Sequence, residues 1–135
     1  MSGLALTAAT SDFRIEAQAG YIQVELVQGY AMQAQGTRQL ILAIAQECER
    51  RQCRRVLVEG REVRRGLGTV DAFALGTLMG SVLPGASFAF CLHGYSPDPQ
   101  SKFLIDVTWN RGVRVEFFSE RAAARRWLGV ADPQP

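Results

Sequence analysis

Val56-Leu57-Val58-Glu59 runs through Gly60-Arg61-Glu62-Val63-Arg64-Arg65-Gly66-Leu67-Gly68 into Val70-Asp71-Ala72-Phe73-Ala74-Leu75-Gly76-Thr77-Leu78-Met79-Gly80-Ser81-Val82-Leu83. The opening triplet is a short unbroken apolar run, the pattern of a central strand covered on both faces. The last segment carries no charge after Asp71 and is halted by Pro84-Gly85, so it predicts a helix over 70–83. Between them lies a cationic, glycine-rich loop over 60–69. Strand, loop and apolar helix in this order form the first half of a βαβ unit.

The same alternation of elements extends in both directions. Upstream, Phe13, Ile15 and Ala17 alternate with Arg14, Glu16 and Gln18. After Ala19-Gly20, Ile22, Val24 and Leu26 alternate with Gln23 and Glu25, which predicts a β-hairpin over 12–28. Leu40, Ile41, Ile44 and Cys48 then fall on one face of an amphipathic helix over about 36–52. Downstream, Ser87–Leu92 reads as another buried strand. Asp98-Pro99 caps and starts a third helix, which runs to Asn110 and is closed by Gly112. Val113, Val115 and Phe117 mark a last strand, and Ser119 is placed to cap a short helix ending at Gly129, with Trp127 and Leu128 as its core anchors. The order is ββαβαβαβα, an α/β fold with an open mixed sheet of about five strands and about four helices. The strands at 56–58, 88–92 and 113–117 are expected to be parallel and the hairpin antiparallel. The whole chain, 1–135, reads as one domain with an ordered core over 12–130 and flexible ends at 1–11 and 131–135.

Composition narrows the function classes. With 135 residues, 47% of them hydrophobic, the chain can bury roughly two thirds of its unfolded surface without disulfide staples. Cys48, Cys53 and Cys91 are odd in number and lack Cys-x-x-Cys spacing, so neither a disulfide framework nor a zinc site is expected, and reduced thiols point to the cytoplasm. No apolar run approaches the ~20 residues of a membrane span, and residues 1–11 lack a basic, then apolar, leader pattern. Net charge is +2 and most arginines sit beside acids, so no nucleic-acid-binding face is expected.

The element order, the acid that follows the central strand at Glu59, and the ending Glu116-Phe117-Phe118-Ser119-Glu120-Arg121-Ala122-Ala123-Ala124-Arg125-Arg126-Trp127-Leu128 together resemble the SpoIIAA-like STAS superfamily. The likeness is greatest to its small stand-alone bacterial members, related to CRAL-TRIO lipid-carrier domains, and covers about residues 12–130. It implies a non-enzymatic module for protein–protein regulation or small-ligand binding. The family's regulatory members carry an Asp-Ser-Ser-Gly type sequence where this chain has Gly66-Leu67-Gly68-Thr69-Val70-Asp71, so their phosphorylated serine has no counterpart here.

Three candidate sites emerge from the residues. Arg61, Arg64, Arg65, Gly66, Gly68 and Thr69 lie between a strand's carboxyl end and a helix N-terminus, where free N–H groups and forked guanidinium donors suit an anion. Ala72, Phe73, Leu75, Gly76, Met79, Gly80 and Leu83 make the second helix apolar on nearly every side. Ala72, Gly76 and Gly80 form a smooth ridge on it, and contact with a second copy or another protein is expected there. His93, three residues before Ser96 and five before Asp98, invites a Ser-His-Asp hydrolase reading, but no Gly-x-Ser-x-Gly elbow accompanies it. No carboxylate lies at ligand spacing from this single histidine, so no metal and no cofactor are expected. A carrier of a small apolar or amphipathic ligand would need a cavity beneath the second and third helices, lined in part by Phe103, Leu104, Ile105, Val107 and Trp109.

Overall fold

The structure is a computed structural model and describes residues 5–130. Its elements are β1 (Ala5–Ala9), β2 (Phe13–Gln18), β3 (Tyr21–Leu26), β4 (Ala31–Met32), α1 (Ala34–Arg51), β5 (Arg55–Arg61), β6 (Arg64–Arg65), α2 (Thr69–Val82), β7 (Ser87–His93), α3 (Pro99–Trp109), β8 (Arg114–Phe118) and α4 (Arg121–Leu128). The main sheet runs β1-β2-β3-β5-β7-β8. β3, β5, β7 and β8 are mutually parallel, and β2–β3 is the antiparallel hairpin predicted around Gly20, whose φ is +86°.

Two features differ from the sequence-based expectation. Ala5–Ala9, inside the stretch expected to be flexible, pairs antiparallel with β2 and makes a sixth strand; its small, weakly patterned residues give little periodic signal for an edge strand. The 60–69 segment is also not simply a loop. Arg64 and Arg65 pair in parallel with Ala31 and Met32, and Gly29 N–H donates to Arg61 C=O at 3.0 Å. The expected flexible segment 131–135 lies outside the described residues.

Strand alternation sorts the interior into two layers. Val56 and Val58 of β5, with Phe88 and Phe90 of β7, join Leu40, Ile41 and Ile44 of α1 and Leu75 and Met79 of α2 in one cluster. Leu57 and Ala89 point the other way, onto Ala124 and Leu128 of α4. Each of the first three crossovers steps one strand in the same direction, so their helices share a face and, among the described elements, α4 alone covers the other. Local chemistry agrees at most boundaries. Asp98 Oδ1 accepts hydrogen bonds from Ser101 N–H at 2.7 Å and Ser101 Oγ at 2.8 Å, with Pro99 opening α3. Gly129 ends α4 at φ +78°. The expected Ser119 cap is shifted: β8 extends to Phe118, the bend takes Ser119 and Glu120, and Glu120 becomes the N-cap without a side-chain bond.

Candidate functional site

Past the cover of α4, its face of the sheet turns polar at the carboxyl ends of the parallel strands, the end of an α/β sheet where ligand sites gather. Parallel register sets Glu59 opposite both Glu25 and Cys91, and Arg61 opposite His93. Residues 59 and 61 on β5, and 91 and 93 on β7, share one face because strand side chains alternate with a period of two. Arg121, at the start of α4, reaches down onto this cluster. Its Nε donates to Glu59 Oε1 and Oε2 at 3.0 and 3.1 Å, and its Nη2 donates to Oε2 at 2.8 Å. His93 Nε2 lies 2.7 Å from Glu59 Oε2, Gln23 Nε2 donates to Oε1 at 3.4 Å, and Cys91 Sγ lies 4.0 Å from His93 Nε2.

Burial alone would raise the Glu59 carboxyl, but the hydrogen bonds from Arg121 and His93 outweigh it and hold the group below the ordinary glutamate value. Its hydrogen bonds to Glu59 raise Arg121 above its usual value. Burial pushes the Cys91 thiol up to about 11, and the Glu59 charge adds to the effect. An ionised Glu59 only accepts, so His93 Nε2 carries the proton it shares with Glu59. No basic lone pair then faces Cys91 Sγ, and a thiol–imidazole proton relay is not assembled.

The Ser-His-Asp grouping that the spacing around His93 invites is not formed either: His93 turns to Glu59, while Asp98 caps α3 and pairs with Arg65. The expectation that His93 has no ligating neighbours is overturned, since cross-strand register brings it both a carboxylate and a thiol. Cys-x-His on the exit of an apolar strand, with an acid closing the neighbouring apolar run, was the available signal. The pairing of residue 59 with residue 91 was not visible locally.

The three loop arginines do not act together. Arg65 pairs with Asp98, donates to Ser101 Oγ at 3.3 Å and Ser96 C=O at 3.4 Å, and lies 4.6 Å over the Tyr95 ring. Arg61 instead lines a small hollow of about 120 Å³ with Glu25, Glu59 and Arg121. Arg64 is exposed. Gly68 is the N-cap of α2, Gly66 precedes it, and Thr69 Oγ1 accepts from Gln100 Nε2 at 3.5 Å.

The α2 candidates divide between the interior and the surface. Ala72, Leu75, Gly76, Met79 and Leu83 are buried within the chain. The glycine ridge does admit a close neighbour, and that neighbour is α3: a Cβ on Gly76 would meet Val107 Cγ1 at 2.6 Å, and one on Gly80 would meet Arg111 Cβ at 2.6 Å. The α2–α3 contact is therefore closed where the alternative carrier reading needs a cavity, and Trp109 lies 48% exposed with its indole N–H on Val115 C=O. What remains outside is a stripe of Val70, 81% exposed, Phe73, 47% exposed, and the exposed Ala74, Thr77 and Ser81. No family model and no curated protein sequence matches the chain. No described helix is long and apolar enough to cross a membrane.

Proposed function

We propose that the protein is a non-enzymatic, cytoplasmic binding module of SpoIIAA-like STAS type that docks through the outer stripe of α2, with a second copy of the chain as its first partner. The observation that carries this reading is the stripe itself. Val70, Ala74, Thr77 and Ser81 follow one another at spacings of four, three and four, are exposed, and bear no charge. A two-fold contact sets such a stripe against its own copy without opposing like charges, and its small side chains let the helices approach closely. Three free cysteines suit a reducing compartment.

Leu75 and Met79 are buried, so a charge at either would test folding rather than docking. Val70→Glu combined with Thr77→Glu is the appropriate variant. In sedimentation velocity at micromolar concentration the wild type is expected as a dimer and the variant as a folded monomer. A monomeric wild type overturns the reading.

The carrier reading retains one observation of its own, an open groove of about 960 Å³ between α1 and α2, lined in part by Leu42, Ala45, Val82 and Leu83. Native mass spectrometry of freshly purified protein would show a retained apolar or amphipathic ligand as added mass. The bare chain mass would leave the interaction reading alone.

A further inference from the structure

We propose that Glu59, Cys91 and His93 form a binding site for one divalent transition-metal ion of the zinc type, with Arg121 holding the carboxylate in the metal-free protein. One carboxylate oxygen, Sγ and Nε2 all lie within 4.8 Å of one another. Carboxylate, thiolate and imidazole on a single centre are zinc ligands, and hard ions such as Mg²⁺ and Ca²⁺ take oxygen donors instead. Zinc–sulfur and zinc–nitrogen bonds of about 2.3 and 2.0–2.1 Å, at a tetrahedral angle, place the two donor atoms about 3.5 Å apart. Here Sγ and Nε2 are 4.0 Å apart and Nε2 and Oε2 are 2.7 Å apart. Side-chain adjustments on the order of an ångström bring all three onto one ion.

The backbone is already suited to this. All three donors stand on adjacent central strands in fixed register, where packing on both faces holds Cα positions. A hollow of about 120 Å³ opens beside Glu59, lined also by Gly60, Arg61 and Arg121. Arg121, its side chain 48% exposed, need release only Oε2. Oε1 keeps the hydrogen bonds from Gln23 Nε2 and Arg121 Nε, outer partners of the kind that fix a ligating carboxylate.

Proton balance follows from the donor set. The Cys91 proton leaves to solvent as the S–metal bond forms, and the imidazole proton moves from Nε2 to Nδ1 through solvent, freeing the Nε2 lone pair. The thiol must lose its proton and the imidazole must present a bare Nε2, so binding strengthens as pH rises. The competing thiols are Cys48, buried, and Cys53, half-buried.

Cobalt(II) titration of the whole protein tests the site. One equivalent should produce a thiolate-to-cobalt charge-transfer band in the near ultraviolet, abolished by added Zn²⁺ and retained in Cys53→Ser. Cys91→Ser and His93→Gln should each remove the band and weaken Zn²⁺ binding, measured against a chromophoric chelator, by more than the roughly 10–100-fold that loss of an outer hydrogen-bond partner costs. If Cys91→Ser does not fold, His93→Gln decides the matter, because that side chain is a quarter exposed. Absence of a band, or a band lost in Cys53→Ser and kept in His93→Gln, overturns the proposal.

Discussion

Arg121, the first residue of α4, grips Glu59 of the central strand through two guanidinium nitrogens at 2.8–3.1 Å, across 62 positions of sequence. The contact closes the sheet face that α4 leaves open. Glu59 is 6% exposed, and a buried carboxylate persists in its charged form only with partners of this kind.

Arg121→Ala should therefore cost about 1–3 kcal/mol, the range for leaving a buried polar group short of its partner, reduced at the upper end because the arginine is half exposed. The pH dependence has a definite sign. A carboxyl held below its unfolded value of 4.5 stabilises the fold above that value and loses the contribution as pH falls through the lower, folded one. Urea denaturation of wild type and variant should give a constant gap near neutrality that narrows as the pH drops below about 4.5. A gap that widens in acid would refute the assignment.

Elements were legible wherever local chemistry decides them. Val56–Val58 reads as a central strand because both faces are covered, by α1 and α2 on one side and α4 on the other. Asp98-Pro99 and Gly112 mark helix ends because a cap and a left-handed turn demand those residue types. The Glu59–Cys91–His93 cluster was not legible, because strand register between residues 59 and 91 creates it and neither sequence neighbourhood records that pairing. The glycine ridge of α2 was expected to meet a second chain, with neighbouring helices as the competing cover, and at Gly76 and Gly80 the close neighbours are Val107 and Arg111 of the same chain. Apolar α3 positions such as Leu104 and Val107 announce burial without saying against what.

Cysteine reactivity should follow burial. Burial pushes Cys48 up to about 12 and Cys91 up to about 11, so both are nearly all thiol near neutral pH and are shielded as well. A chromogenic disulfide reagent added to native protein should modify Cys53 alone quickly, and all three thiols in denaturant. Fast modification of Cys91 in the native state would show that the strand end opens.

Asp98 joins two roles that can be separated. One carboxylate oxygen caps α3 through Ser101 and the other meets Arg65. Asp98→Ala should cost roughly 1–2 kcal/mol, most of it from the cap. Asp98→Asn keeps an acceptor for Ser101 but loses the charge, and a part-exposed ion pair contributes only about 0–1 kcal/mol. Chemical denaturation should thus find Asn close to wild type and Ala well below it. Equal losses would assign the stability to the Arg65 pair instead.

Gly76→Ala is the sharpest test of the α2–α3 packing. On an exposed helix this change would stabilise by up to about 1 kcal/mol, since glycine gives up more backbone freedom than alanine on folding. Here the added methyl would stand 2.6 Å from Val107 Cγ1 and 3.1 Å from Val107 Cβ. Valine is branched at Cβ and stiff in a helix, so it cannot swing clear. Overpacking of this kind costs about 1–3 kcal/mol, which exceeds the propensity gain, and the net effect should be destabilising by about 1 kcal/mol. Val107→Ala alone should also destabilise by removing buried methyls. Together the two substitutions should cost less than the sum of their separate losses, because the smaller side chain at 107 makes room for the methyl at 76. A double-mutant cycle in urea measures this coupling directly. Strict additivity, or a stabilising Gly76→Ala, would mean that α2 and α3 are not pressed together at this point and that the glycine ridge remains open to another chain.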